Sequence, residues 1–282
     1  MTITAEVVAH SAHPGCPDLI SMKLRYPRFI HAEAKTHRLI RIDDAEVEFL
    51  QEISLMDDPK LSRCASSSRA VPIDRMIQEI LDDPAMPVTW GSNKPGMQAG
   101  AEIDRPDLAM EVWLDARDRA VDAARDAQRL GLHKQIVNRL IEPFAHISVI
   151  VTATEWDNFF SLRRHEAADP TMRALADAMY QAKVNSKPAA LPLSGVWHRP
   201  FATGPDDPAT PRQIAARCAR VSYLNHDGKP TTAEADEKLA DTLESEAHMS
   251  PFEHVARPTP GQRHHNLNGW QSLRALMEDA YV

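Results

Sequence analysis

Residues 61–72, LSRCASSSRAVP, place three consecutive serines between Arg63 and Arg69. Hydroxyls, backbone N–H groups and two guanidinium forks in one stretch suit a phosphate or carboxylate, because arginine binds planar oxyanions bidentately. A polar surface turn has the same composition, so the run alone decides nothing. HAEAKTHR at 31–38 puts Glu33 and His37 four apart, on one face of a helix, with Arg38 alongside. An exposed ion pair would look the same. In 132–164, Arg139 and Arg163 stand among apolar and aromatic neighbours. An arginine keeps its charge in such a place, so it needs an anionic partner. That partner is either a ligand or a structural carboxylate such as Glu142 or Glu155. HMSPFEH at 248–254 gathers His248, Ser250, Glu253 and His254. Pro251 removes the helical i, i+4 geometry of a zinc-binding pair, so no metal site is expected.

The elements that must carry these residues follow from the patterning. Ile20, Met22, Leu24 and Tyr26 alternate, which makes an extended segment with one face toward a core. The first 27 residues therefore read as strands, and 28–40 as a helix. Asp43 and Asp44 cap a short helix bearing Val47, Leu50 and Ile53. Pro72 suits the first turn of a helix over 73–81. The longest helix runs between Asp104 and Gly131, with Leu108, Val112, Ala116, Ala120, Ala124 and Ala127 forming a narrow stripe for close packing. A helix over 133–141 precedes Pro143, a strand spans 147–152, and helices follow near 155–164 and 170–184. The proline-rich stretch 187–211 reads as a connector. Thr210-Pro211 starts a further helix, and Thr231 with Glu234 makes a capping box for another. The expected class is α+β, a helix-rich mixture of helix and sheet.

Composition bounds the function. The 282 residues carry a net charge of −8, with 43% hydrophobic and 26% charged side chains, an ordinary globular balance. No nucleic-acid coat is expected without a basic footprint. Cys16, Cys64 and Cys218 are odd in number and far apart, which supports neither a disulfide framework nor a zinc cluster. No apolar run approaches the ~20 residues of a membrane span and no signal peptide is read, so a soluble, cytoplasmic protein is expected.

Together, ARVSY at 219–223, HMSPFEH at 248–254, NFFSLR at 158–163 and a divided signature at 36–69 resemble the flavin-dependent thymidylate synthases. That family carries an RHR…S.N..S.RY signature, an ARVS segment, an H.SPFEH-type segment and a helix ending N-F-x-x-L-R. The matches extend over most of the chain, read as a single domain over 1–282. Two departures stand out. ARVS and SPFEH come last here, as in a circular permutant, which a fold tolerates where its termini lie close together. The signature is split into THRLI (36–40) and SRCASSSR (62–69) by an insert, 41–61. Thr36, Cys64 and Ala70 replace its usual Arg, Asn and Tyr.

The resemblance implies C5-methylation of uridylate, either UMP or dUMP, with FAD as cofactor and NADPH and methylenetetrahydrofolate as co-substrates. Thymidylate supply and a nucleoside-antibiotic pathway are both compatible with it. It implies that Arg163 faces the pyrimidine as the catalytic cation, and that Ser67, Ser68, Arg69 and Arg139 hold the phosphate. Glu33 stands where the family has a nucleotide-binding Gln. His37, Arg38, Asn158, Ser222, His248, Ser250 and Glu253 match flavin-side positions, and the sites lie between subunits of a homotetramer. The competing expectation is a non-catalytic nucleotide-binding homologue that has lost flavin chemistry. A metal hydrolase using His248, Glu253 and His254 is a third.

Overall fold

The computed structural model describes residues 3–34, 64–65, 71–96, 98–192, 196–221 and 229–279. The chain opens with β1 (Thr4–Ala12), β2 (Leu19–Pro27), a 3-10 turn and α1 (His31–Ala34). It continues through β3 (Cys64–Ala65), α2 (Ile73–Asp82), α3 (Pro106–Arg129), α4 (Lys134–Ile141) and β4 (His146–Ala153). After these come α5 (Asp157–Arg163), α6 (Pro170–Asn185), β5 (Ala189–Ala190), α7 (Pro211–Ala219) and α8 (Ala233–Ser245). A hairpin of β6 (Ala256–His264) and β7 (Leu267–Ser272) leads into α9 (Leu273–Asp279). The class is α+β, as the patterning requires.

Five strands form one sheet in the order β3-β4-β2-β1-β5, antiparallel except for the β1–β5 pair. Leu24 pairs with Val149 and Met22 with Val151. The alternation of β2 therefore meets a matching alternation in β4, and both send their apolar side chains to one face. On that face Ile20, Met22, Leu24, Tyr26, Val149 and Val151 pack with Phe159 and Phe160 of α5 and with Met172, Leu175 and Met179 of α6. The opposite face is partly polar. Ile150 contributes to a small cluster with Phe201, Cys218 and Val221, whereas Ser21 and Thr152 hydrogen-bond to histidines.

A second core joins α2, α3 and α4 through Ile77, Ile80, Val121, Ala124, Val137 and Ile141. A third joins α7, α8 and the turn at Ser250–Glu253 through Ile214, Ala215, Ala240 and Phe252. Helix α3 stops where Gly131 takes φ +80°. Its N–H bonds the Gln128 carbonyl and the N–H of Leu132 bonds that of Ala127, a Schellman ending that favours glycine.

Several expectations change. The α3 stripe is buried only in its second half: Ala124 is buried and Ala120 and Ala127 half-buried, while Leu108 is exposed and Val112 is 70% exposed. The α2–α4 core meets α3 through Val121 and Ala124, with the half-buried Trp113, Ala120 and Ala127 against it, and among the described residues Leu108 and Val112 are not part of it. Pro72 stands just before α2, at its N-cap, with ψ 141°. The cap of α8 is Thr232, which accepts from the Ala235 N–H. Thr231 instead donates to Asp236. The stretch 187–211 does more than connect: β5 extends the sheet, and Phe201 and His198 are buried on its polar face. The helix placed over 28–40 is described as a 3-10 turn followed by α1, and its remainder lies outside the described residues. So do the insert 41–61 and its Val47/Leu50/Ile53 helix.

Candidate functional site

Helix α5 begins after Trp156 and buries Phe159 and Phe160 against the sheet. That anchoring fixes where its last turn sends Arg163 and Arg164. Arg164 turns to α6, donating to Asp177 at 2.7 Å and lying 3.8 Å over the Tyr180 ring. Arg163 turns the other way, and its Nη2 donates to the Glu33 carbonyl oxygen at 3.1 Å. Two chemistry-bearing segments 130 residues apart thus meet at one end of the apolar face. Burial pushes the Glu33 carboxyl above its ordinary value; the Asp169 carboxylate adds to the rise and Arg163 opposes it. Asp169 is itself fixed as the cap of α6, accepting from the N–H groups of Thr171 and Met172 at 2.8 and 2.9 Å. Asn158 is half-buried in the first turn of α5.

Arg139 departs from expectation. It is exposed, because α4 buries Val137, Asn138 and Ile141 and turns Arg139 outward. Glu155, offered above as a structural partner for Arg139 or Arg163, accepts from Arg263 at 3.1 and 3.2 Å.

The segment 248–254 lies on the sheet's other face. A 3-10 turn over Ser250–Glu253, with Pro251 in its first turn, replaces any regular helix, as that proline dictates. Phe252 anchors the turn in the α7–α8 core. His248 is exposed and Ser250 half-buried. The Glu253 carboxylate accepts from Arg274 Nη1 at 2.6 Å, a largely buried ion pair. Arg274 carries no motif, so only the fold reveals this partnership. His254 is buried, and its Nδ1 lies 2.9 Å from Thr152 Oγ1.

The ARV segment closes α7. Val221 packs on Ile150, the residue of β4 that pairs with Cys64 in β3. One end of the divided signature therefore returns beside ARV on the sheet. Arg220 is held by Asp236, and Arg217 bridges Asp236 at 3.0 Å and Asp207 at 2.6 Å. His37, Arg38, Ser67, Ser68, Arg69 and Ser222 lie outside the described residues. Among the described residues no three metal-binding side chains gather, and no helix is long and apolar enough to cross a membrane.

No protein-family model and no curated protein matches the sequence. The structure is similar to the UMP/dUMP methylase PolB from Streptomyces cacaoi bound with 5-Br UMP: 15% identity, TM-score 0.43, covering 65% of this chain and 89% of that one. Against the same enzyme bound with 5-Br dUMP the values are 14% and 0.46, over 65% and 90%. These values describe a partial likeness of fold.

Proposed function

We propose that the protein is a flavin-dependent methylase that transfers a one-carbon unit to C5 of uridylate, using FAD, NADPH and methylenetetrahydrofolate in the cytoplasm. The observation that carries this reading is the bond from Arg163 to the Glu33 backbone. It joins the helix ending NFFSLR to the segment preceding THR, the pair from which the resemblance builds the nucleotide site. Arg163 then serves as a fixed cation beside the pyrimidine carbonyls. It stabilises the negative charge that makes C5 nucleophilic, and needs no enzyme thiol. Arg139, exposed on α4, is free to meet a phosphate.

The described flavin-side residues fit a polar cofactor in part. His248, Ser250 and the half-buried Asn158 present an imidazole, a hydroxyl and an amide. In the same segment as His248, though outside the flavin-side set, His254 Nε2 is a buried polar atom with no partner among the described residues. Glu253 is already committed to Arg274, so its role is to hold the segment rather than to touch the cofactor. When bound, FAD supplies the redox chemistry, while the chain supplies orientation and electrostatics.

The elements that carry Glu33, Asn158 and Arg163 pack on the apolar face through Ala34, Phe159 and Phe160, whereas the turn of Ser250 packs on the α7–α8 core through Phe252 and Val221 packs on Ile150 of the other face. We expect the two groups to meet between copies of the chain, in the homotetramer that the resemblance implies. The commitment of Glu253 also favours the second reading, a uridylate-binding protein without flavin chemistry.

A turnover assay with FAD, NADPH and methylenetetrahydrofolate, offering UMP and dUMP separately, tests the proposal. A 5-methyl product is expected from at least one of them. Colourless protein that binds uridylate and yields no product would favour the second reading.

A further inference from the structure

Five side chains cross the polar face of the sheet in an unbroken hydrogen-bonded line. Ser11 Oγ lies 2.8 Å from His198 Nδ1, and His198 Nε2 lies 2.8 Å from Ser21 Oγ. Ser21 Oγ lies 2.5 Å from Thr152 Oγ1, which lies 2.9 Å from His254 Nδ1. Ser11, Ser21, His198 and His254 are each at most 5% exposed. Burial holds His254 down to about 3; burial, with His254 and His10 nearby, does the same to His198. Each ring therefore carries one proton at neutral pH.

A hydroxyl has one proton to donate but can accept twice, and a neutral imidazole has one N–H and one acceptor nitrogen, so four orders keep the line unbroken. In one order Ser11 donates to His198, His198 to Ser21, Ser21 to Thr152 and Thr152 to His254 Nδ1. The only group then left without a partner is the N–H at His254 Nε2. In each of the other three orders the proton of His254 sits on Nδ1, Nε2 becomes a bare acceptor without a donor, and one hydroxyl proton, that of Ser11, Ser21 or Thr152, has no acceptor. His254 Nε2 has no partner among the described residues, and the side-chain bonds that Ser11, Ser21 and Thr152 make to described residues' side chains are those of the line itself. An unmade hydrogen bond at a buried group is costly, so the order that leaves one such group prevails over the three that leave two.

We infer that Ser11, His198, Ser21 and Thr152 act as positioning residues that hold His254 in its Nε2–H form, so that the last residue of the HMSPFEH segment presents a buried hydrogen-bond donor. The consequence for activity rests on the proposed flavin-side role of that segment; the tautomer does not. An acceptor atom of a bound molecule, such as a carbonyl oxygen, is the complement of this donor.

Neutron diffraction from deuterium-exchanged crystals of the whole protein reads the order directly. Deuterium is expected on Nε2 of both His198 and His254, with the Thr152 hydroxyl directed at His254 Nδ1. Deuterium on His254 Nδ1 overturns the inference. Ser11→Ala removes the donor that biases the line, so His254 should then show both tautomers; a single Nε2–H form in that variant also overturns it. Thr152→Val, an isosteric change, should lower kcat about tenfold, the worth of roughly one hydrogen bond. KM for the nucleotide should stay unchanged and Thr152→Ser should restore turnover; equal loss in both variants counts against positioning. Deuterium at Nε2 in a protein that never methylates uridylate supports the inference and removes the proposed activity. Active, yellow protein with deuterium at Nδ1 removes the inference alone.

Discussion

Arg163 and Arg164 are consecutive, yet their side chains serve different ends, and substitutions should separate them. Arg164 is a structural cation, bound to Asp177 and stacked on Tyr180. Its partner is half-exposed, so Arg164→Ala should lower the urea midpoint only slightly while turnover survives. Arg163→Ala should leave stability nearly intact and cut methylation at least about a hundredfold, as when a preorganised donor to a developing negative charge is removed. Normal turnover in that variant would falsify the proposed role. Glu33 offers a second test at this scale. With its pKa raised above the ordinary carboxylate value, it is protonated on the acidic side of that pKa, where it can donate a hydrogen bond, and ionised and acceptor-only above it. An acidic limb in the pH dependence of nucleotide KM should follow, and Glu33→Gln should flatten it. A limb unchanged in Glu33→Gln would assign it to another group.

Helices α7 and α8 show what one buried carboxylate does for two elements. Asp236 is fully buried and binds Arg217, Arg220 and Thr231 together. Asp207 takes the other side of Arg217 and accepts from the N–H groups of Thr203 and Ala209. Removing one partner of such a group strands buried charge, at about 3–5 kcal/mol. Asp236→Ala should therefore lower the urea midpoint markedly and loosen the ARV segment, seen as faster amide exchange in α7. Loss below about 1 kcal/mol would mean that the arginines find water instead. None of this was visible in the sequence, where the aspartates carry no pattern. The legible elements were those with a strong period or an emphatic boundary: the alternating β2, and α7 after Thr210-Pro211, whose Thr210/Gln213 capping box is present. The β6–β7 hairpin was missed because its strands alternate weakly and four residues bulge between the Pro258 and Arg263 pairings. Similarly, the exposed half of α3 has the same apolar spacing as the buried half, since periodicity names a face but not what covers it. For the site, residue type and spacing picked out Arg163 and Glu33; the Glu253–Arg274 pair and the His198 line join distant positions that only folding brings together.

Across the whole molecule, three histidines buried at different junctions make stability depend on acidity. His198 and His254 fasten the C-terminal segments to the sheet, and His146 sits where the sheet meets the end of α2. Burial depresses His146 to about 4, with Arg25 adding to the effect and Asp83 opposing it; His198 and His254 fall to about 3. The unfolded chain protonates each near 6.5. Below that pH it binds more protons than the folded chain, so stability falls as the solution is acidified. Three such groups cost on the order of 10 kcal/mol between neutrality and about pH 4, comparable to the whole stability of an ordinary domain. Asp207 acts later. Burial alone would raise its pKa, but Arg217 and the surrounding N–H groups outweigh this and hold it below the usual carboxylate range. Its contribution is complete above about pH 4 and drains away only beneath it. Urea midpoints taken from pH 7.5 downward should therefore fall steeply between about pH 6.5 and 4, with proton uptake on unfolding approaching three. His146→Gln should reduce that uptake by about one, and Asp207→Asn should lower stability without changing the slope in this range. A midpoint that stays level until pH 4 would mean that the histidines are not held neutral, and would remove the premise on which the order of the buried line depends.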